Sequence, residues 1–269
     1  MGLMFATRNP TEDEESLIMK MISTFRDGTG NQKDSDGGTR ASWRELERCF
    51  AEAVSAIASE DKNIFDVIAA DETDPSLYYG FSIKSKQLSQ KQFWGLDSRS
   101  RTYMEIANSP AKFWQKISDQ GITEEDFKCM RFANVIGNTV LQTVKEWHHE
   151  GKSDFEGINP GVTLNLDASC YLCISYTKVD VSDDREYQIH SFALDFPQEL
   201  NWEYTSDKCL RAYDPNFENE TLFDWYGLSG GQLKYYPRGA SARFKSSAFK
   251  LLKPSNSLTI REKVELYFS

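Results

Sequence analysis

The stretch IFDVIAADETDPSLYYGFSIKSK, residues 64–86, decides how the rest of the chain is read. Its first run is apolar at Phe65, Val67 and Ile68, with Asp66 set among them. In its second run Phe81 and Ile83 alternate with Gly80, Ser82 and Lys84. Side chains on a strand alternate between faces, so Phe81 and Ile83 share one face while Ser82 and Lys84 share the other. The turn-rich DETDPS between the runs folds them into a hairpin, which places a carboxylate and an ammonium on adjacent strands.

Upstream, residues 41–58 carry Trp43, Leu46, Phe50, Ala53 and Ile57 at helical spacing, with Glu47 on the margin of that buried stripe and Glu45 turned to solvent. A second helix is expected over residues 11–25, capped by Thr11. The segment RDGTGNQKDSDGGTR between them is read as irregular, a loop able to order on a ligand. It lacks the G-x-x-x-x-G-K-[ST] pattern of a phosphate-binding loop.

Downstream, TYMEIA reads as a third strand with Tyr103, Glu105 and Ala107 on one face, and Ser109-Pro110 starts a helix. Residues 124–148 read as one long helix, with Phe127, Met130, Val135, Val140, Val144 and Trp147 near one face and Gly151 ending it. Beyond Gly161 the chain turns β-rich, in YLCISYTKV, EYQIHSFALDF and CLRAY. The tail REKVELYFS fits a short helix or a strand.

Composition narrows the class. With 269 residues, 39% hydrophobic and 13% aromatic, the chain builds an ordered core. No apolar run approaches the ~20 residues that span a bilayer, and the amino terminus lacks a secretory pattern, so the expected location is the cytoplasm with no membrane partner. The five cysteines read as reduced core thiols, and Cys170-x-x-Cys173 has no second pair at zinc spacing. His148 and His149 are adjacent on a helix and diverge by about 100°. His190 stands alone, so histidine chemistry has no signature.

The net charge of −10 argues against polyanion binding over the whole surface, yet residues 225–261 contain no acid. Lys234, Arg238, Arg243 and Lys245 lie there among Tyr235, Tyr236 and Phe244. That segment suits either phosphate and groove contacts on DNA or a solvated basic β-edge.

Phosphodiester hydrolysis needs an activated water, neutralised phosphate oxygens and help for the leaving oxygen. Mg²⁺ prefers hard oxygen ligands and a nearby lysine assists with charge. With Glu47 in RELERCFAEAV, Asp66 in IFDVI and Lys84 in SIKSK, residues 40–115 resemble the PD-(D/E)xK nucleases, in particular type II restriction endonucleases. No proline precedes Asp66, and Ser82 stands where the family carries its second acid. The resemblance implies that the missing carboxylate comes from further along the chain, for which Glu105 is the candidate. The other acids nearby, Asp71 and Glu72, sit too far into the turn.

The resemblance implies a single α/β domain, a restriction-endonuclease-like mixed central sheet flanked by helices. Its catalytic core spans about 40–150 and a β-rich DNA-recognition part about 160–269. The implied activity is Mg²⁺-dependent, sequence-specific cleavage of double-stranded DNA by a bacterial homodimer acting on a palindromic site. Asp66, Ser82, Lys84 and Glu105 would form the catalytic group, with Asp66, Glu105 and Glu47 on the metal. Lys86, Arg101, Lys234, Arg238, Arg243 and Lys245 would contact DNA. Alternatives are a nuclease of the same type acting on damaged or modified DNA, or a non-catalytic DNA-binding module.

Overall fold

The computed structural model describes residues 2–27, 31–33, 39–58, 64–178, 184–197, 200–217, 220–253 and 260–268. Helix α1 (Glu12–Ser23) begins at a capping box: the Thr11 hydroxyl accepts from Glu14 N, and the Glu14 carboxylate accepts from Thr11 N. Strands β1 (Asn31–Lys33) and β2 (Thr39–Ala41) pair antiparallel within the segment read as irregular. That reading is corrected for these residues; 28–30 and 34–38 lie outside the described residues.

Helix α2 (Trp43–Ala53) is capped by Ser42 and is shorter than expected: Ile57 lies beyond it and is exposed. Strands β3 (Val67–Ala70) and β4 (Leu77–Leu88) form the antiparallel hairpin. A short helix α3 (Gln90–Phe93) follows, then β5 (Met104–Asn108) and α4 (Pro110–Ser118).

The expected long helix over 124–148 is two helices, α5 (Glu124–Lys128) and α6 (Ala133–Ile158). Met130 and Phe132 both adopt left-handed backbone angles, φ 56° and 57°, which break the helix between them. Apolar periodicity continues across the break and hides it. Gly151 does not end α6, which runs another two turns.

The C-terminal part supplies β6 (Thr163–Leu164), β7 (Cys170–Thr177), β8 (Glu186–Ala193), β9 (Trp202–Ser206), β10 (Cys209–Tyr213), β11 (Thr221–Tyr226), β12 (Gln232–Tyr235), β13 (Phe244–Lys245), β14 (Phe249–Lys250) and helix α7 (Ile260–Phe268).

The protein is α/β, built on a mixed sheet with order β13-β8-β7-β4-β3, joined by β14 on β8 and β6 on β4. Strands β4 and β7 run parallel at its centre. Every residue of β7 is buried, as expected of a strand covered on both faces. Cys170 and Cys173, three apart on that strand, fall into cores on opposite faces, so they cannot share an ion.

On one face α1 and α2 pack Ile18, Ile22, Leu46 and Phe50 against Val67, Phe81, Ile83 and Leu172. On the other, α4, α5 and α6 share a core with Tyr171, Phe192 and a second, antiparallel sheet of order β5-β12-β11-β10-β9. The division expected near residue 150 crosses both sheets. Strand β5 edges the second sheet, while β7 and β8 complete the first. No helix among the described residues is long and apolar enough to cross a membrane.

The residue before Asp66 is locked by these layers. The Phe65 ring lies across Gly80 and stacks on His148 of α6 at 5.7 Å, and His148 Nε2 meets the Tyr171 hydroxyl at 3.1 Å. Burial pushes the His148 imidazole down to about 3, so it is neutral at physiological pH. A Cβ at Gly80 would fall 2.5 Å from Phe65 Cδ1. Gly80→Ala is therefore expected to lower stability by about 1–3 kcal/mol, read by denaturant unfolding. An unchanged midpoint would show that the Phe65 ring is free to move.

Candidate active site

Strand β4 is longer than its partner. The ladder to β3 ends at Val67↔Phe81, and Asp66 N donates to Phe81 O at 2.9 Å. Past that point Ile83 N faces no strand on this side and donates to Asp66 Oδ2 at 2.6 Å. The same oxygen receives Lys84 Nζ at 2.9 Å and the Ser82 hydroxyl at 3.4 Å. A buried backbone N–H needs an acceptor, and here the carboxylate replaces the missing strand. Asp66 Oδ1 accepts no hydrogen bond among the described residues.

A cleft of about 650 Å³ opens beside this group. Glu47 from α2, Asp66, Ser82 and Lys84 from the hairpin, and Glu105 from β5 all line it. Glu105 thus reaches the cleft from the second sheet, not as a third strand of the hairpin sheet. Its Oε1 accepts from Asn108 Nδ2 at 3.0 Å. Ser82 is nearly inaccessible at 1%, whereas the Lys84 and Asp66 side chains keep 25% and 21% of their exposure.

The Glu47 side chain is buried and accepts no hydrogen bond among the described residues. Burial, then the nearby Asp66 charge, pushes its carboxyl up to about 7, against weaker opposition from Lys84, Arg44 and Arg48.

The donors converging here are all oxygens, which suits a hard cation such as Mg²⁺. Among the described residues no three His, Cys, Asp or Glu side chains group closely enough to hold a metal ion unaided. An ion held here would take one or two of these carboxylates and complete its shell from water or a bound oxyanion.

The expected DNA contacts divide. Lys86 and Lys234 line the cleft, with Lys86 Nζ 3.7 Å over the Tyr103 ring and Lys234 Nζ 4.4 Å over Tyr226. Arg101 is engaged inside the protein, pairing with Glu220 at 2.8 Å and Asp214 at 2.7 Å. Arg238 pairs with the same Glu220 and lies 3.5 Å over Phe217. Arg243 donates to the Asp167 carbonyl, and Lys245 pairs with Asp97 at 2.8 Å. None of these last four residues lines the cleft.

Trp43, expected in the core, is 50% exposed and lines the cleft, as do Tyr103, Trp147, Asn108 and Gln232. Trp43 precedes Glu47 by four residues, so the two share a helix face; that spacing was the available signal. No protein-family model, curated protein or solved structure matches the chain.

The raised Glu47 carboxyl has a measurable consequence in chelator. Between pH 4.5 and about 7 the folded protein keeps a proton that the unfolded chain has lost. Glu47 therefore makes stability fall as pH rises through that window, by at most about 1.4 kcal/mol per pH unit, and the loss levels off above it. Glu47→Gln should remove this slope and gain on the parent with rising pH in denaturant melts. Parallel pH profiles for the two proteins would mean that Glu47 ionises without penalty.

Proposed function

We propose that the chain is a Mg²⁺-dependent endodeoxyribonuclease, sequence-specific in the manner of type II restriction enzymes. On this reading it acts in the bacterial cytoplasm as a homodimer on a palindromic duplex site. One observation carries the reading. Residues remote in sequence, Glu47, the Asp66/Ser82/Lys84 group and Glu105, meet at a single cleft from a helix, a hairpin and a second sheet.

The chain's own groups support hydrolysis. Asp66 is fixed by Ile83 N and Lys84, leaving Oδ1 as the oxygen available to a cation. Glu105 offers the carboxylate that Ser82 lacks, and Glu47 can ionise when a positive charge arrives beside it. Lys84 spends one N–H on Asp66, and its remaining two can hold a water or a phosphate oxygen and offset the charge of the transition state. Mg²⁺ bound there would neutralise phosphate oxygens and acidify the attacking water.

A second reading, a non-catalytic DNA-binding module, is favoured by one fact. Among the described residues the acids do not close into a three-membered cluster. Digestion of plasmid DNA separates the readings. The nuclease reading expects Mg²⁺-dependent cutting into discrete fragments, with Asp66→Ala and Lys84→Ala each slowing it at least about 10²-fold. DNA retention without cutting in any divalent ion would favour the binding module, and full activity of either variant would refute the site.

A further inference from the structure

Three aromatic rings line the cleft, and intact duplex DNA gives such rings no open base face to stack on. Trp43, Tyr103 and Trp147 line the same cleft as Asp66 and Lys84. Each ring has a cation over one face: Arg44 at 4.8 Å from Trp43, Lys86 at 3.7 Å from Tyr103 and Lys112, itself paired with Glu150, at 4.7 Å from Trp147. Tyr103 also packs on Tyr236 at 5.5 Å, so a base reaches its ring as Lys86 swings out to a phosphate. Single exposed aromatics scattered over a surface are ordinary. Here three surround one concavity, and Trp43 remains half exposed although its helix buries Leu46 one turn on and Phe50 two turns on.

The lining also includes hydrogen-bonding side chains. Asn108 and Gln232 are opposite one another in the β5–β12 ladder and both line the cleft, beside Ser85 and Glu105. Amides, aromatic rings and lysines around one cleft form the set that holds an unpaired nucleotide. The base stacks on a ring, its edge meets an amide, and its phosphate meets the cations. The volume of about 650 Å³ lies within the range of pockets that enclose a small organic group. In a B-form duplex the base faces are covered by their neighbours, so only an unstacked base can use such rings.

Resting on the cleavage chemistry of the nuclease reading but departing from its intact duplex substrate, we infer that the cleft takes a single strand of DNA with at least one base out of the stack, held against Trp43 and Tyr103 beside the scissile phosphate. That strand is either already unpaired or is opened from a duplex by rotating out one nucleotide.

The test is the affinity of the full chain for fluorescently labelled DNA oligonucleotides at low salt, in EDTA and again with Ca²⁺ in place of Mg²⁺. The probes are a single strand, its blunt matched duplex, and that duplex with one central mismatch. The single strand should bind about tenfold or more tighter than the matched duplex. Trp43→Ala and Tyr103→Leu should each cost the single strand about tenfold. Trp43 is half exposed, so its variant keeps the fold, checked by an unchanged melting transition.

A mismatched duplex that binds like the single strand identifies rotation from a duplex; one that binds like the matched duplex identifies DNA already unpaired. Both support the inference. A matched duplex binding as tightly as the single strand, with both aromatic variants neutral, overturns it. The nuclease reading survives that result if Mg²⁺-dependent cutting still requires Lys84. No binding of any probe in either condition overturns both.

Discussion

The arrangement depends on a strand that outruns its partner. Strand β4 continues past the end of β3, and an unpaired edge inside a folded protein must find acceptors for its amides. Asp66 meets that need at Ile83 with a carboxylate oxygen. One geometric accident of strand length thus does three things: it ends the ladder, leaves room for the cleft, and pins an acid beside it, because any Asp66 rotamer change would leave the Ile83 amide without its acceptor. Because Phe65 is clamped between Gly80 and His148, the backbone on the other side of Asp66 is held as well.

Charge in the cleft is balanced where the protein as a whole is not. The body carries −10, yet the cleft sets Lys84, Lys86 and Lys234 against Glu47, Asp66 and Glu105. With the Glu47 carboxyl held up near 7 by burial, part of that acid charge is absent at neutral pH. An approaching polyanion is therefore repelled by the body and tolerated at the cleft. Repulsion from distant surface charge is screened over roughly 10 Å at ordinary salt, while contacts inside the cleft are screened much less. Such a charge distribution favours an anion at the cleft over the rest of the surface.

Local patterns in the sequence were legible where one strand or one helix decided the outcome. The hairpin faces followed from the alternation of Phe81 and Ile83 with Ser82 and Lys84, and the start of α1 followed from Thr11 and Glu14. Non-local facts were not legible. Arg101 looks free in the sequence because its partners Asp214 and Glu220 lie 113 and 119 positions away. Glu105 was expected beside the hairpin, yet β5 pairs with β12, whose residues come more than a hundred positions later. Trp43 fits an apolar stripe, and only the position of the cleft turns that ring toward solvent. The break at Met130 and Phe132 is a matter of φ, to which hydrophobic spacing is blind.

The serine at position 82 follows from the same electrostatics. Its side chain is nearly inaccessible and its hydroxyl points at Asp66 Oδ2 from 3.4 Å. A carboxylate there would bring a second negative charge against Asp66 while losing its own hydration, next to Glu47, whose carboxyl is already pushed up by burial and by Asp66. A neutral hydroxyl avoids both costs and still supports Asp66. Glu105 lines the same cleft from the opposite sheet and is only half-buried, so its charge is better hydrated. The consequence is structural: acids that one hairpin would otherwise hold at fixed spacing are divided between two sheets. Their separation is then set by how α6 and the shared core hold those sheets together.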